Sequence, residues 1–227
     1  VTVDGSTYTA WDVSKVTDMG YMFQSARAFN QPIGDWNVSS VTDMGYMFYL
    51  DQVFNQSINT TPNVTMNGST YTAWDVSNVT DMKYMFYQAS VFNHDISGWD
   101  VSSVTNMQSM LSNRAFNQSI NDWDVSKVTD FTQMFYTNNA FYQSIRVWAV
   151  DSSANTTNMF YHAAGLQKYY AGTDLYTATP SPSVFFNLGY SPPEITIIGD
   201  NPVTNQAKST YTDLGATATD SEGASLT

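Results

Sequence analysis

The apolar residues of this chain return in one fixed order after each of six tryptophans. Counted from the tryptophan, most repeats carry valine at +2 and +5, methionine at +8 and +11, phenylalanine at +12 and near +18, and isoleucine near +22. A fixed period of this length is typical of proteins built from stacked structural repeats. We therefore predict six repeats over residues 11–160. They begin at Trp11, Trp36, Trp74, Trp99, Trp123 and Trp148, and are called repeats 1 to 6 below.

The spacing inside a repeat predicts short helices alternating with short strands. Met19, Met22, Phe23 and Ala26 follow the i, i+3, i+4, i+7 pattern of one helix face, and Thr17 or Asp18 stands where an N-cap belongs. The aromatic and β-branched residues of 29–33 and 36–38 favour extended chain. The predicted fold class is a repeat solenoid, leucine-rich-repeat-like α/β, with short parallel strands and short helices or 3₁₀ turns.

Composition shifts divide the chain into further segments. Residues 59–73 form a polar insert with Pro62 and Gly68 as breakers, and either a loop or a β-hairpin fits them. Residues 1–10 resemble the end of this insert, so we expect them to be the end of a preceding insert in a longer array. Residues 161–190 are predicted to be a C-terminal cap and linker, and 191–227 a β-rich domain that is only partly present.

The unit W-[DN]-V-S-x-V-T-[DN]-M-x-x-M-F…F-N-Q-x-I resembles the BspA-like bacterial surface-protein repeat. That resemblance implies a leucine-rich-repeat-like solenoid on an extracellular protein, often concerned with attachment, and supplies no catalytic residues. Residues 192–227, with PxITxxGxNPVT and STYTDxGATATD, look like the opening half of a bacterial immunoglobulin-like surface module. This second resemblance implies a fragment of a β-sandwich that serves as a stalk.

Charge and composition narrow the function classes. The net charge of −12 repels phosphate backbones, so nucleic acid is not an expected partner. There is no cysteine for a thiolate site, and no apolar run long enough for membrane insertion of this segment. The two histidines, His94 and His162, stand in unlike contexts without a nucleophile–base pattern. We therefore expect no enzyme and no cofactor.

Three sets of residues are candidate sites. Asp18, Asp43, Asp81 and Asp130 share one column, where they could bind calcium between repeats, although capping of helices and turns is the favoured interpretation. A row of tyrosines off the apolar face could bind protein or carbohydrate, or could simply pack between repeats. Sequons in the insert offer N-glycosylation in a eukaryotic host. The tyrosines are Tyr21, Tyr46, Tyr84, Tyr49 and Tyr87, and the sequon asparagines are Asn59, Asn63 and Asn67.

Together these features predict a non-enzymatic extracellular structural or adhesive protein at the cell surface or secreted. Its expected partners are protein or carbohydrate at a surface, or copies of itself. One alternative is a self-assembling subunit of an extracellular filament, because unpaired repeat ends invite association. Another is the targeting or binding region of a larger surface enzyme or receptor.

Overall fold

A computed structural model describes residues 2–3, 6–7, 11–66, 68–171, 176–186, 194–197, 216–219 and 225–226. The chain divides into two compact units, Val1–Leu188 and Gly189–Thr227. The first unit contains strands β1 (Thr2–Val3), β2 (Ser6–Thr7), β3 (Thr61–Met66) and β4 (Ser69–Ala73), followed by helices α1 (Ala164–Tyr169) and α2 (Pro182–Phe185). The second contains β5 (Glu194–Ile197), β6 (Ala216–Thr219) and β7 (Ser225–Leu226).

The repeats are built from tight turns that hydrogen-bond sideways to the next repeat. Repeat 3 shows the pattern: N–H groups at +8, +10, +12 and +14 donate to carbonyls of repeat 4 over 2.7–3.1 Å. The N–H groups at +11 and +13 donate to carbonyls three residues back, and the N–H at +9 donates to the Asp81 side chain. The inter-repeat bonds run from Met82, Tyr84, Phe86 and Gln88 to Asn106, Gln108, Met110 and Ser112. Alternation of this kind satisfies the backbone without a helix or a long strand.

The predicted helix at +8 to +15 is wrong. Residues at +10 and +14 adopt left-handed backbone, as at Tyr46 (φ 61°) and Leu50 (φ 59°) in repeat 2. An α-helix needs φ near −63° at every residue, so a left-handed residue every fourth position prevents it. Paired with an i→i−3 hydrogen bond such as Met47 N–H to the Met44 carbonyl, 3.2 Å, the positive φ gives the geometry of a type II turn.

The predicted parallel strands are also wrong. Neighbouring repeats share single-residue parallel bridges, and every strand pair among the described residues is antiparallel. The bridges join Asp18, Asp43, Asp81, Asn106, Asp130 and Asn155 in that order.

The described part of the second unit holds one three-stranded sheet in the order β5–β6–β7, with no second sheet facing it, so the sandwich fragment is wrong as well. The remainder of 191–227 lies outside the described residues. The predicted fold class, a repeat solenoid of leucine-rich-repeat-like α/β type, is therefore wrong, and the described residues form an assembly of turns with small antiparallel sheets.

The apolar columns form one continuous core across the repeats. Valines at +2 and +5, methionines at +8 and +11 and phenylalanines at +12 are buried in the inner repeats, where methionine packs against aromatic rings. Phenyl rings of adjacent repeats stack, with Phe48 and Phe86 at 5.5 Å between centroids. Full burial of such a side chain contributes about 1.5–3 kcal/mol.

Indole N–H groups connect repeats that are distant along the chain. Each of four tryptophans donates to the carbonyl of the isoleucine near +22 of the repeat two before its own. The buried indole is thus both packed and hydrogen-bonded, which is how tryptophan is usually accommodated inside a protein. The pairs are Trp74 to Ile33, Trp99 to Ile58, Trp123 to Ile96 and Trp148 to Ile120, at 2.8–3.2 Å.

The insert between repeats 2 and 3 is a β-hairpin, one of the two alternatives left open by its sequence. Strands β3 and β4 pair antiparallel from Thr61↔Ala73 to Met66↔Ser69. Repeat 3 still aligns with repeat 2, because the Trp74 N–H donates to the Trp36 carbonyl over 3.0 Å. The insertion therefore leaves the core uninterrupted.

Residues 176–186 cover the outward edge of repeat 6. The Phe160 N–H donates to the Ala178 carbonyl over 2.9 Å, and the Thr156 hydroxyl donates to the Pro180 carbonyl over 2.6 Å. Phe185 and Phe186 are buried, and the Phe186 ring stacks 6.4 Å from that of Trp148. The last repeat thus has a hydrogen-bonded and apolar cover.

Candidate functional site: a tyrosine surface

Five tyrosines of repeats 1 to 3 form one contiguous patch, here called the tyrosine surface. At +10, Tyr21, Tyr46 and Tyr84 stack with centroids 4.6 and 4.8 Å apart and planes within 12° of parallel. At +13, Tyr49 and Tyr87 stack at 5.1 Å. Tilted contacts of 5.4–6.1 Å join the two files into one cluster.

The consecutive tight turns of each repeat place these tyrosine side chains on the surface. Positions +11 and +12 point into the core, while +10 and +13 on either side of them face away. Tyr21 is 55% exposed and the other four are half-buried. Because each repeat places the same positions at the same height, successive rings lie in register.

Stacking decides which parts of the rings remain accessible. Tyr46 has a tyrosine stacked on both of its ring faces, and each of the other four has a tyrosine stacked on one face. Burial, and next the neighbouring Tyr84, raise the pKa of Tyr46 above its ordinary value, which keeps its hydroxyl protonated. Lys83 lies beside the cluster, paired with Asp81 at 2.8 Å, and this hydrogen bond raises the pKa of Lys83. The surface is therefore neutral, amphipathic and rich in hydroxyl groups.

Repeat 4 ends the tyrosine surface. It has Ser109 and Ser112 at the two tyrosine positions, and both are buried. A separate pair follows in repeats 5 and 6, where Tyr136 and Tyr161 stack at 5.8 Å. His162 contacts Tyr161 edge-on at 4.1 Å.

The aspartates proposed for calcium each accept a hydrogen bond inside their own turn. Oδ1 of Asp18, Asp43, Asp81 and Asp130 accepts the backbone N–H two residues on, at 2.7–2.9 Å. This Asx turn holds the chain where the single-residue bridges form. In the described part of the chain, no group of three histidine, cysteine or acidic side chains is placed to hold a metal ion. Calcium binding stays a prediction for titration.

The sequon asparagines differ in their surroundings. Asn59 is partly buried. Its side-chain Nδ2 donates to Asp95 over 3.3 Å, and its side-chain Oδ1 accepts the Thr60 backbone N–H. Asn63 is exposed on β3 with a φ of 59°. Asn67 lies outside the described residues. Among the described sequons of the insert, Asn63 has the more accessible side chain.

Sequence reasoning missed two polar columns. Asparagines of the F-N-Q motif bond repeat to repeat, as where Asn30 Oδ1 accepts from the Asn55 N–H at 2.9 Å and the Gln56 amide at 3.0 Å. The second column is buried at +15, where Asp51 and Asn138 occupy a position that is alanine in repeats 1, 3 and 6. Recurrence of F-N-Q could have indicated the first column, but no periodic signal marks the second.

His94 serves the first of these columns. Its Nε2 lies 2.9 Å from the Asn55 carbonyl, at the position where other repeats place a glutamine.

No helix among the described residues combines the length and the hydropathy needed to cross a membrane.

Comparison with known families corrects both resemblances drawn from the sequence. No BspA or leucine-rich-repeat family model matches, and nothing supports an immunoglobulin-like module at 192–227. The shared W-D-V-S and M-F spacing reflects a turn-based repeat rather than the strand-and-helix repeat that the resemblance implied. Neither the curated proteins nor the solved structures contain a match to this chain.

One family model does match, over residues 5–66 and again over 61–172, which together are well over half of the chain. Its two matches overlap over Thr61–Met66, which is strand β3 of the hairpin. The chain therefore belongs to the family described as Mycoplasma protein of unknown function, DUF285.

Proposed function

We propose that this chain is a non-enzymatic, extracellular adhesive region whose tyrosine surface binds a protein partner. The observation that carries the proposal is the contiguous patch of five tyrosines on one side of repeats 1 to 3. Tyrosine is enriched at protein interfaces because it offers a large apolar area and a hydroxyl group at little conformational cost. The repeated aspartates, by contrast, are engaged in their own turns.

The geometry favours a protein over a carbohydrate. A sugar ring packs best on an open aromatic face, whereas stacking already occupies one face of four of the rings and both faces of Tyr46. Aromatic edges are electropositive and, with phenolic hydroxyls, suit backbone carbonyls and the faces of a partner's aromatic side chains. Carbohydrate is therefore the alternative outcome of the test.

The test uses substitutions that the chain itself tolerates. Tyr84→Ser with Tyr87→Ser copies the residues that repeat 4 carries at these positions, and Ser109 adopts the same left-handed backbone as Tyr84. Tyr142→Ser is the control, since Tyr142 is exposed but outside the patch. Each variant is applied to a peptide array and to a glycan array.

The wild-type chain should bind a subset of peptides, and the double variant should bind them about thirtyfold more weakly, as expected for loss of about 2 kcal/mol at a tyrosine hot spot. The Tyr142→Ser chain should bind as the wild type does. Binding confined to glycans would assign the patch to carbohydrate. Equal binding by all three chains would reject the tyrosine surface as the site.

A further inference from the structure

The aspartates at +7 border the tyrosine surface, and the repeats that carry this surface differ in the residue at +9. Repeat 3 has Lys83 at +9, whereas repeats 1 and 2 have Gly20 and Gly45. The Lys83 ammonium group donates to Oδ2 of Asp81 over 2.8 Å, which is the only ion pair among the described residues. The +7 carboxylates of repeats 1 and 2 therefore lie at this border without an ion pair.

The Lys83 side chain extends from repeat 3 onto repeat 2. A β-carbon placed on Gly45 would lie 3.4 Å from Cγ and 3.6 Å from Cε of Lys83, so the lysine chain covers the space that the glycine leaves open. Its hydrogen bond to Asp81 raises the pKa of Lys83 most, and the charges of Asp81 and Asp43 raise it further, because carboxylates of both repeats lie near the ammonium group. A lysine side chain lying across two repeats is thus already part of this fold.

The equivalent space one repeat earlier receives no side chain from +9, because that residue of repeat 2 is Gly45. The three atoms nearest to a β-carbon placed on Gly20 are Oδ1 of Asp18 at 3.0 Å, the Gly45 carbonyl oxygen at 3.4 Å and Oδ1 of Asp43 at 3.7 Å. Oδ1 of Asp43 accepts the Gly45 N–H at 2.7 Å, and no described residue donates to its Oδ2. The space over Gly20 is therefore bounded by two carboxylates, one of them with an oxygen available to a cation.

We propose that the tyrosine surface binds a lysine-bearing segment of its protein partner, with the lysine side chain lying over Gly20 and its ammonium group paired with Asp43. This lysine occupies in repeats 1 and 2 the place that Lys83 occupies in repeats 2 and 3. Its charge is complementary to a chain of net charge −12, and Tyr21 beside Gly20, 55% exposed, offers an apolar ring to its methylene chain. The inference rests on the proposed function, since it names the chemistry of the partner that this function requires.

The experiment compares peptides that differ only in the charge of their lysine. Peptides that bind the wild-type chain on the array are synthesised with lysine or with acetyl-lysine, and their dissociation constants are measured by fluorescence anisotropy in the presence of a chelator. Asp43→Asn removes the charge but keeps the oxygen that accepts the turn N–H, as Asn106 does in repeat 4. Asp130→Asn is the matched control, because it makes the same change in the same turn of repeat 5, outside the tyrosine surface.

Gly45→Lys is a second variant, which supplies from the chain itself the lysine that the partner supplies. It copies repeat 3, where the Lys83 backbone N–H donates to Oδ1 of Asp81 at 2.9 Å, as the Gly45 N–H donates to Asp43 at 2.7 Å. The turn of repeat 2 is therefore of a kind that accepts a lysine at +9.

Acetylation should weaken binding to the wild type about two- to fivefold, as expected for a partly exposed ion pair. Asp43→Asn and Gly45→Lys should weaken binding of the lysine peptides by a similar factor and abolish the effect of acetylation, whereas Asp130→Asn should behave as the wild type. Binding that the chain with Tyr84→Ser and Tyr87→Ser loses, but that acetylation and Asp43→Asn leave unchanged, would overturn this inference and leave the proposed function intact. Equal binding by the double tyrosine variant, or no peptide bound at all, would overturn both.

Discussion

Replacing Asp51 by asparagine should stabilise this protein at neutral pH. Asp51 is 0% exposed, and its Oδ1 accepts the N–H groups of Val53 and Phe54 at 3.2 and 3.1 Å, while its Oδ2 has no partner among the described residues. Burial raises the pKa of this carboxyl above its ordinary value of 3.8, against the opposing effect of the two N–H donors. The fold therefore contains a carboxylate that is desolvated and half satisfied.

Repeat 5 shows how the same position looks when it is fully bonded. Asn138 accepts the N–H groups of Ala140 and Phe141 at 3.0 Å, and its amide donates to the carbonyls of Leu111 and Phe116 at 3.2 Å each. Asp51→Asn supplies the same two donors toward repeat 1. At about 0.5–1.5 kcal/mol for each hydrogen bond gained, the free energy of unfolding should rise by roughly 1–3 kcal/mol.

The pH dependence provides a second signature. Between the unfolded and the folded pKa of Asp51, the folded chain holds a proton that the unfolded chain has lost, so the free energy of unfolding falls as pH rises from about 4 through this window. Asp51→Asn removes that fall. The reciprocal variant, Asn138→Asp, should add a second decrease of the free energy of unfolding with rising pH and should therefore destabilise the chain at pH 7.

Urea unfolding of the three chains across mildly acidic to neutral pH measures both effects. The account requires Asp51→Asn to be more stable than the wild type at neutral pH, and the gap to narrow toward the acid end. An Asp51→Asn chain that is less stable at neutral pH, or a gap that does not change with pH, would refute the reasoning.

Three further substitutions or additions test other parts of the structure. Thr137 is β-branched with a φ of 57°, so Thr137→Gly should raise the free energy of unfolding by about 0.5–1 kcal/mol. Thr157 is exposed and has a negative φ, so Thr157→Gly should lower the free energy of unfolding by a similar amount. Urea titration compares the two variants with the wild type. Trp148→Phe removes the donor to the Ile120 carbonyl and should lower the free energy of unfolding by about 1–3 kcal/mol. Trp11 is exposed, so Trp11→Phe should change the free energy of unfolding by no more than about 0.5 kcal/mol in the same assay. Adding calcium in place of a chelator should leave the thermal midpoint unchanged, because the aspartates serve their turns; a clear rise would support the calcium site instead.

The sequence predicted the interior well, because burial follows the period of the apolar residues and does not depend on the local backbone. The valine, methionine, phenylalanine and isoleucine columns lie in one core, and the position of the tyrosines beside those columns was visible from the same alignment. Their mutual stacking at 4.6–5.1 Å follows from the register of the repeats.

The local structure could not be predicted in the same way. Apolar spacing of three and four residues occurs in a helix and also in consecutive tight turns, and the left-handed residues that separate the two are Tyr46, Leu50 and Gln88 rather than glycine. The sequence near such residues does not indicate a positive φ, because it is the hydrogen bonds to the next repeat that offset the energy cost of this conformation. The role of Asp51 was hidden for another reason: it accepts the N–H groups of Val53 and Phe54 at a position that is alanine in repeats 1, 3 and 6, so no periodic signal marks it.

The central claim is that each repeat lies directly against the next, even where a hairpin intervenes, and an engineered disulfide tests it most directly. Thr42 and Thr80 are 38 residues apart, exposed, and joined by a hydrogen bond from the Thr80 hydroxyl to the Thr42 carbonyl. The chain has no cysteine to interfere, and adjacent chains about 4.8 Å apart are within disulfide reach. Thr42→Cys with Thr80→Cys should form an intramolecular disulfide under mild oxidation, while Thr17→Cys with Thr80→Cys, one repeat further apart, should stay reduced. A reduced first pair, or equal oxidation of both, would contradict the account.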